Sequence, residues 1–510
     1  MKLTSILVSV ALAVPAAAQC EYAQLLPIDE VEDGDFGHSV SIHGAWLAVG
    51  QTKVDPAESH VGGVYLYERI GGTWFFRQEL ASPEPGVCRF GTRVALAGDV
   101  LAVGEGDGCW VNAVWLFERV GGVWSLAKKV ESSSPFDQEF GRDFALAGGR
   151  LAVGDPGLQE VYVFEDGPLG WQETATIPAP VPGDNAEFGH TLVFAGETLF
   201  VGDRGYGVPA ANAGAVFVYE PSGGAWAQTQ TLQDAAPESF DFFGWVLSAR
   251  GDVAVVGSSR PSHEIAIFER IAGTFAPAAG NAVIPTLGLE QERVAVGADA
   301  ILVGEPEFDG LRGRARVLRD GDLGWGDVGE LQPVDLDIWD HAGWAVALDG
   351  DHAALASYGF DDGLLDVGAI TAHTLSGELC YTLEGYPKSI SLAAGGTATL
   401  LLDAGSAYAG ALYGVAGTLS GTSPGLPVGA LQAPLNPDAY FALSIQAPAP
   451  LFEGTVGLLD AQGKATARVN IAAGTDPSLA GLELHHAYLA LGPAGGVELV
   501  SNAWRHLLAP

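Results

Sequence analysis

Short runs rich in β-branched and aromatic residues recur along most of the chain. Three of them have the same form, Val64–Tyr67, Val114–Phe117 and Val161–Phe164. A glycine-containing turn follows each run, and an aromatic residue then begins another run; these aromatic residues are Trp74, Trp124, Trp171, Trp226, Phe275 and Trp325. Successive side chains of a strand point to opposite faces, so runs of this kind bounded by turns predict antiparallel strands.

A repeat of about fifty residues organises these strands. In five copies a Phe-Gly pair comes first, with a turn glycine eight residues after the phenylalanine and a strand-ending glycine fourteen residues after it; the phenylalanines are Phe36, Phe90, Phe140, Phe188 and Phe243. Glu290 and Ala342 hold the same position in two copies that lack the pair. Each copy predicts a four-stranded sheet, and because one sheet cannot bury both faces alone, radial packing of the copies is expected.

The spacing of the copies predicts seven sheets in a closed ring. The mean interval is 51 residues, so seven copies need 357 residues, and residues 20–377 number 358. The seventh copy lacks an aromatic-led fourth strand, whereas residues 22–28 precede the first copy where such a strand would lie. We predict that the amino-terminal strand completes the last sheet and thereby joins the two ends of the ring.

The Phe-Gly pairs, the Leu-Ala-Val-Gly strands (101–104 and 151–154) and the Val-Tyr-Val-Phe strand resemble the FG-GAP repeat family. That family includes the seven-bladed β-propeller at the head of integrin α chains, and the resemblance covers about two thirds of this chain. Integrin-type copies carry an Asp-x-Asp-x-Asp-Gly calcium loop, whereas the turns here are bare pairs such as Gly98-Asp99. Calcium takes 6–8 oxygen ligands, so we expect no cofactor, although calcium is the cation that the family would imply.

The amino terminus has the pattern of a secretory signal peptide. Met1-Lys2 is followed by an apolar run over residues 3–14 and by three alanines at 16–18. We predict that residues 1–18 are removed and that the mature chain is secreted, periplasmic or on the cell surface. The apolar run is too short to span a bilayer, which takes about 20 residues, and no transmembrane segment is expected elsewhere.

A change of composition indicates a second domain after the repeats. Residues 379–510 are rich in Val, Leu, Ala, Gly and Pro, and short alternating runs such as Lys464–Ile471 recur between turns. This pattern predicts a β-sandwich-like domain. The predicted fold is therefore all-β, with a seven-bladed propeller over residues 19–378 followed by this domain.

Four cysteines, Cys20, Cys88, Cys109 and Cys380, form an even set. In an oxidising compartment they allow two disulfides in three connectivities. The repeat register places Cys88 and Cys109 in loops on the same face of the second sheet, and Cys20 and Cys380 on either side of the ring closure. We predict Cys88–Cys109 and Cys20–Cys380 disulfides, with free thiols as the alternative. The absence of a Cys-x-x-Cys pair argues against a zinc site.

Composition and charge exclude two classes of protein. The chain has 24 basic and 62 acidic residues, a net charge of −38, 48% hydrophobic and only 17% charged residues. This hydrophobic content is too high for a disordered chain. A strongly acidic protein also lacks the basic surface that displaces counterions from phosphates, so nucleic acid is not an expected partner.

Two short motifs suggest chemistry but have simpler explanations. Gly421–Gly425 matches the Gly-x-Ser-x-Gly pattern of a nucleophile elbow, yet the residue after the serine is Pro424, which has no N–H for an oxyanion hole. The tripeptide Arg250-Gly251-Asp252 matches an adhesion motif, but Gly251 holds the turn position of the repeat. We interpret both as turns.

One repeat position is acidic in four of the seven copies. It directly follows the end of the second strand, and its occupants are Glu105, Asp155, Asp203 and Glu305, with Gln51, Ser258 and Ser357 in the other copies. Equivalent positions of a propeller encircle its axis on one face, and the loops beside them vary in sequence. We predict that the four carboxylates converge into a binding site that favours a cation or a basic partner. Separate, solvated loop acids are the alternative.

These observations favour an exported, non-enzymatic binding or adhesion protein. It would engage a protein, glycan or cation through the acidic, loop-rich face of the propeller. One alternative is a propeller-class lyase or glycoside hydrolase with two carboxylates about 5–9 Å apart near the axis. Another is a structural component of an envelope or matrix, attached through residues 379–510. The sequence does not define the oligomeric state.

Overall fold

The structure is a computed structural model of the chain. It describes residues 20–27, 34–53, 62–70, 73–84, 89–106, 113–132, 139–183, 186–259, 264–280, 282–287, 293–321, 324–333, 339–360, 367–375, 382–387, 389–405, 408–421, 425–428, 431–446, 449–492, 495–501 and 504–510. Strands dominate these segments, so the predicted all-β class is confirmed.

Seven sheets, which we call blades 1 to 7, follow one another over residues 20–375 of the described chain. Their strands begin with β1 (Cys20–Leu25), which belongs to blade 7. Blade 1 contains β2 (Phe36–His43), β3 (Trp46–Gln51), β4 (Gly63–Ile70) and β5 (Thr73–Ala81). Blade 2 contains β6 (Arg93–Ala97), β7 (Val100–Gly104), β8 (Ala113–Val120) and β9 (Val123–Glu131). Blade 3 contains β10 (Phe144–Ala147), β11 (Arg150–Asp155), β12 (Glu160–Gly167) and β13 (Gly170–Pro178).

The remaining blades have the same plan, with one extra short strand in blade 5. Blade 4 contains β14 (Phe188–Ala195), β15 (Thr198–Asp203), β16 (Ala215–Ser222) and β17 (Ala225–Leu232). Blade 5 contains β18 (Val246–Arg250), β19 (Val253–Ser258), β20 (Glu264–Ile271), β21 (Thr274–Pro277) and β22 (Val283–Pro285). Blade 6 contains β23 (Val294–Val296), β24 (Ile301–Gly304), β25 (Ala315–Gly321) and β26 (Gly324–Leu331), with an irregular helical turn, α1 (Phe308–Leu311). Blade 7 contains β27 (Ala342–Asp349), β28 (His352–Ser357), β29 (Ala369–Thr374) and β1.

The blades form a closed ring around one axis. The first strand of each blade contacts the first strand of the next, in the order β2, β6, β10, β14, β18, β23 and β27, and β27 contacts β2 again. The first strands are therefore the innermost ones. At the outer edge of blade 7, β1 pairs antiparallel with β29, with Leu25 opposite Ile370. The amino-terminal strand thus completes the last blade, as the closure arithmetic predicts.

Side chains of neighbouring blades form the core of the propeller. The phenylalanines of the Phe-Gly pairs are buried, as are most of the aromatic residues that begin the fourth strands. Between blades 1 and 2, Trp46 and Phe90 belong to one apolar cluster with Trp115 and Trp124. Because the cores lie between blades, each blade depends on its neighbours for burial of its faces.

Glycine at two repeat positions allows adjacent blades to approach closely. A Cβ atom added at Gly154, in β11, would lie 2.0 Å from the carbonyl oxygen of Gly189, in β14 of the next blade. Gly189 itself has a φ of +91°, a conformation that L side chains rarely adopt. The Phe-Gly pair and the strand-ending glycine are therefore two halves of one contact between blades.

The carboxyl-terminal region contains two larger sheets. The first contains β30 (Thr382–Tyr386), β32 (Gly396–Asp403), β36 (Phe452–Glu453) and β38 (Lys464–Ile471). The second contains β31 (Ser389–Ser391), β33 (Leu412–Thr418), β37 (Val456–Leu458), β39 (Glu483–Leu491), β40 (Val497–Val500) and β41 (Trp504–Ala509). A two-stranded sheet, β34 (Leu426–Val428) with β35 (Leu431–Ala433), a helix, α2 (Ala439–Ser444), and a 3-10 turn, Pro477–Leu479, complete the region.

The two larger sheets share one apolar core. Leu400 and Val469 from the first sheet lie in the same cluster as Val415 and Tyr488 from the second. This arrangement is that of a sandwich, in which each sheet buries one face against the other. No helix in the described segments has the length and apolar character needed to cross a membrane.

Candidate functional site

The strand directions give the propeller two different faces. The connections between second and third strands, and those that lead into each first strand, lie together; we call this side the loop-rich face. The other side carries short turns such as Gly148-Gly149, where a Cβ atom added at Gly148 would meet nothing within 4 Å. Because variable loops on a uniform scaffold are where binding sites are usually placed, we sought the site on the loop-rich face.

The four predicted site acids are buried at this face. Glu105 is 6% exposed, and Asp155, Asp203 and Glu305 are at most 1% exposed. The uncharged residues at the same repeat position, Gln51, Ser258 and Ser357, are buried as well. The position is therefore part of the core of every blade, and the acids there are not solvated loop residues.

Glu105 and Glu305 contact the third strands of their own blades. The indole N–H of Trp115 donates to Glu105 Oε2 at 3.2 Å. The guanidinium groups of Arg314 and Arg316 lie 2.8 Å and 3.2 Å from the Glu305 carboxylate. Trp115 and Arg316 lie in the third strands of their blades and Arg314 directly precedes one, so these contacts lie on the outer side of the second strand.

Asp155 and Asp203 hold loops of their own blades. Asp155 Oδ1 accepts the backbone N–H of Leu158 at 3.0 Å, and Asp203 Oδ1 accepts that of Glu187 at 2.8 Å. Each of the four acids thus has partners in its own blade. These contacts give no support for convergence of the acids on the axis, and a shared binding role for them stays a prediction.

Burial shifts two of these carboxyl groups toward the protonated form. It raises the pKa of Glu105 to about 7, against the opposing effects of the Trp115 hydrogen bond and the Lys129 charge. Burial likewise raises the pKa of Asp203 to about 6, against backbone hydrogen bonds that lower it. Glu105 Oε1 and Asp203 Oδ2 have no hydrogen-bond partner within the described segments. Both groups therefore exchange protons nearer to neutral pH than ordinary carboxyl groups do.

A polar cleft of about 420 Å³ opens on the loop-rich face beside Asp203. We call it the polar cleft. Blades 3, 4 and 5 contribute its lining, which consists of Glu139, Arg142, Pro156, Gly157, Gln159, Ala186, Glu187, His190, Arg204, Gly205, Asn212 and Phe242. Guanidinium, imidazole, amide and carboxylate groups from separate loops thus meet in one concave site, which is the usual form of a small-ligand site.

Internal contacts fix the polar groups of the cleft. The Arg204 guanidinium donates to Glu187 Oε2 at 2.5 Å and lies 4.3 Å from the ring centre of Trp245. The His190 ring lies 5.6 Å from the same Trp245 ring. Burial, followed by the charge of Arg204, lowers the pKa of His190 well below its usual value. The cleft therefore offers oriented charged donors together with a neutral imidazole.

The sequence did not single out these lining residues. Arg204 directly follows the predicted acid Asp203, and His190 directly follows the Phe-Gly pair of blade 4, so the repeat already marks their neighbourhood. Their meeting depends on loops of three blades, which only the ring brings together. Besides the repeat, the differing lengths of these loops were the signal in the sequence that pointed to a site on this face.

Comparison with known proteins agrees with this architecture. The family model described as FG-GAP repeat matches residues 20–67, which include β1 and the first Phe-Gly pair. The chain therefore carries an FG-GAP repeat in its β-propeller. No curated protein matches it.

Several solved structures are similar to part of this FG-GAP propeller protein. The periplasmic gluconolactonase PpgL of Pseudomonas aeruginosa has 19% identity and a TM-score of 0.44, with 59% of this chain and 87% of PpgL covered. A candidate 6-phosphogluconolactonase of Bacteroides uniformis has 13% identity and a TM-score of 0.43, with 59% and 88% covered. The Swd1 β-propeller domain from Myceliophthora has 13% identity and a TM-score of 0.35, with 53% and 79% covered.

The prediction that the FG-GAP propeller protein is not an enzyme needs correction. The similar structures named as gluconolactonases contradict it, and we do not retain it. Its basis was that the sequence shows no assembled catalytic constellation. In a propeller, functional groups come from loops of different blades, so the sequence order of such groups carries little information, and one fold supports many functions.

Other sequence predictions for the FG-GAP propeller protein have separate outcomes. The side chains of all four cysteines, the signal segment and Thr422–Pro424 lie outside the described residues, so the predicted disulfides, signal peptide and elbow-like turn stay predictions. Arg250 ends β18 and forms an ion pair with Asp349 at 2.7 Å, which supports its interpretation as part of a structural turn. Within the described segments, no three His, Cys, Asp or Glu side chains are arranged to hold a metal ion.

Proposed function

We propose that the FG-GAP propeller is an exported recognition protein that binds a polar ligand in the polar cleft. The observation that carries this proposal is the meeting of donor and acceptor groups from three blades in one concave site. Export is supported by the signal-peptide pattern at residues 1–18. Adhesion to a cell or matrix, with the carboxyl-terminal sandwich as the attachment region, is compatible with the same site.

The charges of the polar cleft favour an uncharged, hydrogen-bonding ligand. Two arginines, Arg142 and Arg204, are balanced by Glu139 and Glu187, and His190 is held neutral. A free cation would meet the arginines, and a multiply charged anion would meet the glutamates. Hydroxyl and amide groups, by contrast, can pair with every group of this lining. A glycan is therefore favoured over a cation among the ligand classes that the sequence left open.

An array of glycans and cell-surface proteins tests this proposal, with the mature chain applied with and without calcium. We expect hydroxyl-rich ligands to bind and Arg204→Ala to weaken that binding at least about tenfold, because a charged hydrogen bond typically contributes 1.5–3 kcal/mol. Arg150→Ala is the matched control. Arg150 also pairs with a glutamate, at 2.7 Å from Glu197, and lies 5.9 Å from the Trp226 ring, but on the opposite face. Equal losses in the two variants would contradict the cleft as the site.

A hydrolase acting at the same cleft is the second candidate. The observation that favours it is the state of Asp203, which directly precedes Arg204 of the cleft. Burial raises the pKa of Asp203, and its Oδ2 has no hydrogen-bond partner within the described segments. A carboxyl group with a pKa near 6 can serve as a general acid or base near neutral pH. Turnover of p-nitrophenyl glycosides or aldonolactones that Asp203→Asn abolishes, without loss of the fold, would establish this candidate. Ligand binding without turnover would exclude it for those substrates.

A further inference from the structure

Two blades carry the same aromatic motif in the loop that leads into their first strand. Residues 240–245 read Phe-Asp-Phe-Phe-Gly-Trp, and residues 339–344 read Trp-Asp-His-Ala-Gly-Trp. The two segments are 99 residues apart, which is two repeats, so Phe240 of blade 5 and Trp339 of blade 7 are equivalent. The corresponding positions before Phe36, Phe90, Phe140 and Phe188 have no aromatic residue. This pattern belongs to the repeat but is limited to two of its copies.

The equivalent aromatic side chains are exposed on strained backbone. Phe240 is 53% exposed with φ +70°, and Trp339 is 62% exposed with φ +86°. Bulky residues rarely adopt positive φ, and backbone strain of this kind persists only where the surrounding structure enforces it. An apolar ring in solvent and a left-handed backbone both cost free energy. Neither feature therefore stabilises the fold.

Hydrogen bonds to two neighbouring loops enforce this conformation. In blade 5, the backbone N–H of Phe242 donates to Asn212 O at 3.1 Å, and Asp241 O accepts from Ser259 N at 3.1 Å. In blade 7, His341 N–H donates to Leu311 O at 2.9 Å, and Asp340 O accepts from Gly359 N at 3.3 Å. The intervening aspartates are buried in both loops. Each loop is therefore bonded to two neighbouring loops directly after its exposed ring.

Further aromatic rings flank each exposed one. In blade 5, Phe242 lies 6.1 Å from Phe240 and 6.3 Å from Trp245. In blade 7, His341 lies 6.3 Å from Trp339 and stacks on Tyr358 at 4.9 Å with an interplanar angle of 21°. We call these groups the blade 5 platform (Phe240, Phe242 and Trp245) and the blade 7 platform (Trp339, His341 and Tyr358).

We infer that the two aromatic platforms bind the rings of a neutral saccharide, with one sugar stacked on Phe240 and another on Trp339. This inference rests on the proposed recognition role of the loop-rich face. The C–H groups on one face of a pyranose carry partial positive charge, and they are attracted to the negative face of an aromatic ring. Phe242 also lines the polar cleft, so the blade 5 platform is continuous with hydrogen-bonding groups suited to sugar hydroxyls.

The form and charge of the surface favour a neutral saccharide over other partners. A net charge of −38 disfavours acidic polysaccharides and anionic lipid surfaces. The exposed aromatic side chains in the described part of the propeller are divided between two platforms of one exposed ring each, whereas a stable protein interface needs about 800 Å² on each partner around an apolar centre. Single rigid rings beside polar groups match the size of single sugar units.

Binding to immobilised neutral hexasaccharides tests this inference. Cellohexaose, chitohexaose and mannohexaose are the probes, and the full mature chain is the analyte. We expect at least one probe to bind, Trp339→Ala and Phe240→Ala each to weaken its binding about tenfold, and the double variant to weaken it more than either. Trp339→Phe keeps a ring and should restore most of the binding. Leu169→Ala removes an even more exposed apolar side chain, 86% exposed, from the opposite face and should have no effect.

The outcomes distinguish this inference from the proposed cleft. Binding that depends on Arg204 but not on Phe240 or Trp339 overturns the platforms and leaves the cleft. Binding that depends on the two rings but not on Arg204 supports the platforms and removes the cleft. If no neutral hexasaccharide binds, or if binding to a peptide array instead requires Trp339, the saccharide inference is wrong and, in the second case, the partner is a protein. Circular dichroism of each variant shows whether it is folded.

Discussion

The propeller and the carboxyl-terminal sandwich both bury apolar sheet faces, but they pair their strands in different ways. In the propeller nearly every strand pairs with its neighbour along the chain, and β1 with β29 is the one long-range strand pair needed for closure. In the sandwich, β33 pairs with β39, with Val415 opposite Tyr488, and β31 pairs in parallel with the last strand, β41. Local pairing needs little loop closure, whereas the sandwich must bring distant segments together before either sheet exists.

Buried polar groups differ between the two regions in the same manner. In the propeller several of them recur at equivalent repeat positions: Ser39 Oγ donates to Gly91 O and Thr191 Oγ1 donates to Gly244 O, each at 2.8 Å and each across to the next blade. In the sandwich, His486 and His506 stack at 5.2 Å in the interior, and Tyr440 Oη lies 2.9 Å from His486 Nε2. This arrangement joins α2, β39 and β41, and it occurs once. The repeated region is thus governed by a rule, and the sandwich by individual long-range contacts.

Removal of a terminal strand should destabilise the region that contains it and leave the other region folded. This is the largest effect we expect. Deletion of residues 20–25 removes β1, exposes the edge of β29 and opens the ring, so the propeller should lose several kcal/mol of unfolding free energy. Deletion of residues 504–510 removes β41 and should have the corresponding effect on the sandwich. Hydrogen exchange measured by mass spectrometry should rise mainly in residues 34–375 for the first deletion and in 382–501 for the second. Equal rises in both regions after either deletion would refute the separation.

Glycine substitutions should sharpen the comparison with an intermediate effect. Gly154→Ala forces a Cβ against the Gly189 carbonyl and should cost about 3 kcal/mol or more, since overpacking against a backbone atom has no flexible neighbour to relax it. Gly148→Ala, at φ +58° in open space, should cost only about 1–2 kcal/mol. Gly414→Ala, in β33 of the sandwich with nothing within 4 Å, should change stability by less than about 1 kcal/mol. Denaturant unfolding gives the three values, and a different ranking would disprove the inter-blade role of the glycine.

Acidification should affect the sandwich through its buried histidines, with an effect smaller than that of Gly154→Ala. Burial lowers the pKa of His506 to about 4, and burial lowers that of His486 well below its usual value. The unfolded chain, with histidine pKa values near 6.5, binds protons that the folded chain does not, so stability falls as pH decreases from about 6.5 toward 4. His506→Phe should reduce this loss by about 2 kcal/mol at pH 4.5 while changing little at pH 7.5.

Glu105→Gln provides the opposite response in the propeller. The folded pKa of Glu105 is raised to about 7, so its contribution is present below the unfolded pKa and is lost as pH rises through 7. The variant should therefore be more stable than the parent at pH 8 and not at pH 4. Thermal unfolding from pH 4 to pH 8 measures the stability of Glu105→Gln and of His506→Phe. If the two variants show the same dependence of stability on pH, the predicted roles of Glu105 and His506 are wrong.

Sequence periodicity was sufficient for the propeller but not for the sandwich. The Phe-Gly pairs, the glycine spacing and the aromatic residues on the fourth strands predicted the blades, because every local pairing repeats. They also predicted closure by an amino-terminal strand at residues 22–28, which the structure places at Cys20–Leu25. The sandwich was predicted only as a class, since nothing local indicates that Ser389–Ser391 pairs with Leu507–Ala509. At the site, the repeat correctly marked Glu105 and its equivalents as a shared position, yet their contacts within their own blades could not be inferred from spacing.

The sequence by itself determined the all-β class, the period and the register, because hydrophobic alternation and glycine at close contacts are local requirements of each blade. Only the tertiary structure decided which side chains meet. Arg204, His190 and Phe242 come together in a cleft because three loops converge, and Phe240 and Trp339 are exposed because neighbouring loops fix a backbone conformation that their own residues disfavour. Such arrangements depend on contacts between distant segments, and these contacts exist only after the ring has closed.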